Sequence, residues 1–212
     1  MLKHVLIAIV ALTFIGSSHA ANIGNFPPNQ SGGSDLNATL LADRFTLATS
    51  SFITQITYWT LQDNLASYAG STTVNIYGDT GGHPGSLLFG GPVVFTPTAT
   101  GVSALGLIEY RYTASFLSSL LGAGNYWLGL HNGPVATLPD TSYFWEWQSD
   151  TGISQYQDLA AHNNTWVGND AALAFLLVTR AVSTVPEPAS LALLGVGLLA
   201  MYRTRRRGAS KL

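Results

Sequence analysis

The triplet Asp-Thr-Gly occurs twice, at Asp79-Thr80-Gly81 and at Asp150-Thr151-Gly152. Two carboxylates brought together can share a proton, one acting as base on water and the other as acid, which is enough to hydrolyse a peptide. The contexts oppose that use. Such a pair is reached from an apolar strand and followed by a small hydroxyl residue, whereas Asp79 follows Gly78 and precedes Gly82, and Asp150 follows Gln148-Ser149. Asp and Gly at these spacings are what turns need, because Asp bonds the backbone after it and Gly supplies positive φ. Both triplets read as turns.

The other chemistry-bearing residues are as scattered. His83, His131 and His162 stand far apart, with no i, i+2 or i+4 pairing that would start a zinc site. No Gly-x-Ser-x-Gly elbow marks a serine hydrolase. Cysteine is absent, which excludes disulfides, thiolate metal sites and cysteine nucleophiles. A non-enzyme is expected. Calcium is the one cofactor with a compositional case, from Asp63, Asp79, Asp140, Asp150, Asp158 and Asp170 beside Asn and carbonyl oxygens. No contiguous Asp-x-Asn-x-Asp loop occurs, so solvated turn carboxylates, with no bound metal, are the expectation.

Aromatic residues give the best candidate for binding. In "TSYFWEWQS", alternation places Tyr143, Trp145 and Trp147 on one strand face, and Phe144, Glu146 and Gln148 on the other. Trp127 and His131 share a face of "GNYWLGLHN". Rings beside amides and carboxylates can stack against sugars. Equally, tryptophans fill the space between two sheets. Exposure of Trp145 and Trp147 separates the two readings.

The elements that must position these residues are strands. Apolar alternation recurs in "DRFTLA", "FITQITYWT", "TTVNIYG", "SLLFGGPVVFT", "LGLIEYRYTASF", "GNYWLGLHN", "SYFWEWQS", "NTWVG" and "ALAFLLVTR", separated by Gly, Pro, Asn and Asp at roughly ten-residue spacing. The fold class predicted is all-β, an antiparallel sandwich or jelly roll of eight to ten strands. "YTASFLSSLLGAG" alone allows a helical turn, with Phe116, Leu117, Leu120 and Leu121 at helical spacing. A transmembrane barrel fits less well, since it needs an unbroken outward apolar band.

The two ends say where the chain goes. Lys3 and His4 precede an apolar run from Val5 to Ile15, and Ser18 and Ala20 put small residues at −3 and −1, so cleavage between Ala20 and Ala21 is expected. Five of the nine basic residues fall at 203–211. Residues 21–185 hold ten acids against Arg44, Arg111 and Arg180, a balance of −7 that leaves no basic patch for nucleic acid. Val185-Pro186-Glu187-Pro188 is a stiff, extended stop, each proline fixing its own φ and biasing its predecessor away from helix, and residues 189–202 are uncharged but shorter than the roughly 20 residues that span a bilayer. Arginines directly after such a run belong on the cytoplasmic side.

Pro186, Glu187 and Pro188, a short apolar helix, and then Arg203, Arg205, Arg206 and Arg207 resemble the PEP-CTERM sorting signal of Gram-negative bacteria. The resemblance implies export, transient inner-membrane anchoring through the C-terminal helix, processing by an exosortase, and transfer toward the envelope or extracellular polymer matrix. "VNIYGDTGGHPGSLLFGGPVVFT" and "GNYWLGLHN" are similar to surface domains called choice-of-anchor domains, which implies a sandwich without known catalytic residues. The organisation expected is a signal helix (1–20), a flexible leader (21–42), a sandwich (43–182) and a sorting segment (183–212). The function expected is structural or adhesive, in contact with exopolysaccharide or envelope components. A carbohydrate-binding module, with or without Ca²⁺, is the alternative.

Overall fold

The structure, a computed structural model, describes residues 20–136, 141–159 and 165–182. The expected signal helix, apart from Ala20, and the whole sorting segment lie outside these residues. Among the described residues, fourteen strands, numbered in chain order, form two antiparallel sheets. The larger sheet holds β1 (Ala20–Ile23), β2 (Gly33–Asp35), β4 (Ser51–Gln62), β7 (Thr96–Ala104), β8 (Leu107–Ser115), β10 (Tyr143–Ser149), β13 (Ala172–Leu173) and β14 (Phe175–Ala181). The smaller runs in the order β12 (Val167–Gly168), β11 (Gln155–Asp158), β3 (Thr39–Leu47), β9 (Gly124–Asn132), β5 (Thr72–Thr80) and β6 (His83–Val93). The expected sandwich is the fold, with more strands than expected because several are short edge pieces.

Alternation builds the core. Leu41, Phe45 and Leu47 of β3, Val74 and Ile76 of β5, and Leu128 and Leu130 of β9 face Ile56 and Tyr58 of β4, Tyr112 of β8 and Phe175 and Leu177 of β14. A bulge breaks simple alternation in β4. Its pairing with β14 shifts register between Val178 and Thr179, so Ile53 turns inward with Ile56 and Tyr58, although Ile53 and Ile56 lie three positions apart.

Two local expectations change. No helical turn forms over 116–121, because the chain stays extended beside β4. Phe116 N–H donates to the Thr54 carbonyl (2.9 Å), Ser118 N–H to that of Ile53 (3.1 Å) and Leu121 N–H to that of Ser51 (3.0 Å). The described helix is a single 3-10 turn, Leu65–Ser67, capped by the Asn64 side chain. Residues 21–42, expected as a flexible leader, contain β1, β2 and the start of β3. Leu36 is fully buried, and β2 pairs with β10.

Candidate functional site

Four of the five aromatic or histidine candidates are interior. Tyr143 and Trp145 are wholly buried between the sheets. The Tyr143 hydroxyl lies 2.9 Å from that of Tyr58, which also meets Thr72 Oγ1 at 2.6 Å, and Trp145 Nε1–H donates to the Ala174 carbonyl (2.8 Å). Every polar atom of these rings has an internal partner, as burial requires. Trp127 and His131 do share a face, but it is the outer face of the smaller sheet. There Trp127 packs with Leu40, Ala42 and Tyr77 under Leu159 and Trp166, and its Nε1–H donates to Asp79 (2.8 Å). His131 Nδ1 is 3.1 Å from the Gly133 carbonyl oxygen and Nε2 is 3.2 Å from that of Asn37. Burial pulls its pKa below the ordinary histidine range. The structure therefore corrects the ligand-facing reading of Tyr143, Trp145, Trp127 and His131. They are packing and cross-linking groups.

Trp147 differs. Half-buried, it packs against the core, with its ring against Gly32 and its Nε1–H donating to Ser34 Oγ (2.8 Å). With Tyr156, Leu41, Ser34, Asp35, Thr39 and Asn169 it lines a hollow of about 260 Å³. Tyr156 was not singled out in the sequence, because the short polar strand "QYQD" has no apolar alternation to mark it. A larger hollow of about 410 Å³ is lined by Asn25, Arg44, Phe45, Thr46, Asn125 and Ile153 among others.

The two Asp-Thr-Gly aspartates are engaged separately. Asp79, next to last in β5, takes the Trp127 hydrogen bond and lies 3.5 Å from Arg44 Nε. Asp150 accepts from Asn29 Nδ2 (3.0 Å) and Ser31 Oγ (2.8 Å), fastening the segment before β2. Asp140 and His162 lie outside the described residues. Among the described residues, no group of three or more His, Asp or Glu could hold a metal ion. Two other carboxylate sites are buried. Asp43 accepts from the Leu173 N–H, the Arg44 N–H and Asn25 Nδ2, and burial pushes its carboxyl up to about 7. Glu146, on the outer face of the larger sheet, is pushed up to about 8 by burial and then by the neighbouring Glu109 carboxylate. Neither Asp43 nor the glutamate pair carries a motif. What betrays them in the sequence is only an acid set among strand residues.

Ala20 and Ala21, the expected cleavage pair, are exposed in β1, opposite Arg180 and Thr179 of β14. Among the described residues no helix is long and apolar enough to cross a membrane. Pro186, Glu187, Pro188, Arg203, Arg205, Arg206 and Arg207 lie outside them. No curated protein and no solved structure matches the chain. Residues 184–207 do match a family model, that of the PEP-CTERM protein-sorting motif, so this sandwich is carried by a chain bearing the signal of an exported protein sorted through an exosortase.

Proposed function

We propose that the protein is a non-catalytic surface domain, delivered by its sorting segment to the envelope or extracellular matrix of a Gram-negative cell, where it acts by adhesion. The observation that carries this reading is an uncharged band. No Asp, Glu, Lys or Arg occurs between Asp79 and Glu109. That stretch holds β6, paired with β5 alone among the described strands, and β7, paired with β8 alone. Leu87, Leu88, Val94, Val102 and Leu105 are exposed along it. Soluble proteins guard such edges with charge, and an unguarded edge suits contact with other surfaces. Pro84, Pro92 and Pro97 remove N–H donors near the strand ends, leaving the apolar side chains as the feature that distinguishes the band.

Fractionation of host cells tests the delivery. Protein lacking residues 186–212 should remain out of the envelope and matrix, while the intact chain should reach them with both ends shortened by mass. Mature inner-membrane protein still ending at Leu212 would refute the sorting step. Replacing Leu88 and Val102 with Lys should reduce retention in the matrix without blocking export, and unchanged retention would count against adhesion through this band.

A second reading, carbohydrate binding, is favoured by one place only, the hollow between Trp147 and Tyr156. Its size suits one sugar ring, and Asp35, Ser34 and Asn169 supply polar groups around the rings. Retardation in gels containing the host exopolysaccharide, lost in Trp147→Ala, would support it. Identical mobility with and without the polysaccharide would dismiss it.

A further inference from the structure

We infer that Glu109 and Glu146, closed over by Gln30, form a divalent-cation site suited to calcium. Register puts the two glutamates on one face. Leu61 of β4 stands opposite Glu109 on one side and Phe144 on the other, and Glu146 follows Phe144 by two residues. That face is the outer one of the larger sheet, yet Glu109 is 3 % exposed and Glu146 not at all. The cover is the segment before β2. Asn29 N–H donates to the Trp147 carbonyl (2.9 Å), and Trp147 N–H to that of Gly32 (3.0 Å). Between these two clamps Gln30 takes φ 57°, a conformation uncommon outside glycine, and its Nε2 donates to Glu109 Oε2 (3.1 Å).

The site is short of donors. Both carboxylate oxygens of Glu146 are buried without a well-formed hydrogen bond, although the Gln30 backbone N–H and the Glu109 carboxylate lie close enough to influence the group. Arg111 shares the face with Glu109 but is exposed and makes no ion pair with either glutamate. Two neighbouring buried carboxylates, with the Gln30 side-chain amide on Glu109 and the Gln30 backbone N–H beside Glu146, still hold more oxygen lone pairs than donors, an arrangement that native proteins resolve with an ion or a proton. Calcium accepts six to eight oxygens in adaptable geometry, including bidentate carboxylates and amide carbonyls, whereas magnesium demands a near-ideal octahedron. Glu109, Glu146 and the Gln30 amide oxygen, presented by an amide flip, would supply up to five ligands, with water completing the shell. The site is independent of the uncharged band and of the Trp147 hollow.

Thermal unfolding of the full-length protein, stripped with chelator and titrated with calcium chloride, tests the inference. At about a hundred-fold excess over Kd the midpoint should rise roughly 5–10 °C. Glu109→Gln and Glu146→Gln should each abolish the rise, and Asp63→Asn, in an exposed loop, should keep it. Terbium in place of calcium should luminesce through Trp59, which lies on the same face beside Leu61 and opposite Arg111. No rise in the parent protein, or an undiminished rise in Glu146→Gln, would overturn the site. So would a parent indifferent to calcium whose Glu146→Gln variant is itself more stable, since the pair would then hold a proton. If neither glutamine variant folds, Gln30→Ala at the cover should weaken calcium several-fold, and equal affinity in that variant would overturn the inference.

Discussion

At Asp43, three N–H donors meet a carboxylate that is 1 % exposed. The donors favour its charged form, but loss of water outweighs them, and the group titrates at about 7 instead of 3.8. In the folded protein the proton is retained across a range where the unfolded chain has released it. Its stabilising contribution is therefore complete below the unfolded value and is lost progressively as pH rises toward 7, by an amount on the order of 4 kcal/mol at most. Unfolding midpoints measured from pH 4 to pH 7 should fall, and Asp43→Asn should lessen the slope, leaving the part that Glu146 contributes in the same direction, whereas an equal slope in the variant would assign all of it elsewhere. Trp145→Ala should destabilise the fold by about 3–5 kcal/mol, as removal of a fully buried ring does, without altering any affinity for polysaccharide. Denaturant titration and gel retardation of the same sample read both effects. The face each residue occupies was legible for these positions, since alternation separated Trp145 from Glu146. Whether a face is covered was not, because the segment around Gln30 that covers Glu146, and the residues Leu159 and Trp166 that cover Trp127, carry no period to read.

Strand by strand, legibility followed apolar content. "TTVNIYG" and "GNYWLGLHN" match β5 and β9 because Val74, Ile76, Leu128 and Leu130 mark the buried side. Strand β7, "TPTATGVSA", went unread because nearly all of it is exposed, and nothing in it records a core. "ALAFLLVTR" was read as one strand but is divided at Ala174, where β13 turns to β10 and β14 to β4. Turn chemistry was better marked. Gly81 and Gly82 close the β5–β6 hairpin at φ 62° and 86°, the paired positive values that a two-residue turn of this twist demands. Gly81→Ala and Gly82→Ala should each cost about 1–2 kcal/mol, with no steric clash to add, because both positions are open on the Cβ side. A midpoint unchanged by either substitution would show that the hairpin relaxes at its tip.

For the molecule as a whole, the segment from Ala21 to Gly32 behaves as part of the body. It supplies a strand to β14, hydrogen bonds to Trp147 and Asp150, and the cover over Glu146. A protein expressed without residues 21–32 should unfold at least about 4 °C lower, equivalent to roughly 1–2 kcal/mol, and its tryptophan emission should shift to the red as Trp147 gains water. Retention of the parent midpoint would return the segment to the status of a leader. The last strand of the body has a further consequence. β14 lies between β1 and β4, with Val178 paired to Asn22 on one side and Gln55 on the other, and it ends at Ala181, two residues before residue 183 in the sequence. Tension arriving along the chain from residue 182 pulls this strand lengthwise against two ladders at once. Where the pull runs along the strand, the load is shared among many hydrogen bonds in shear, whereas a tethered strand at a sheet edge would peel one bond at a time.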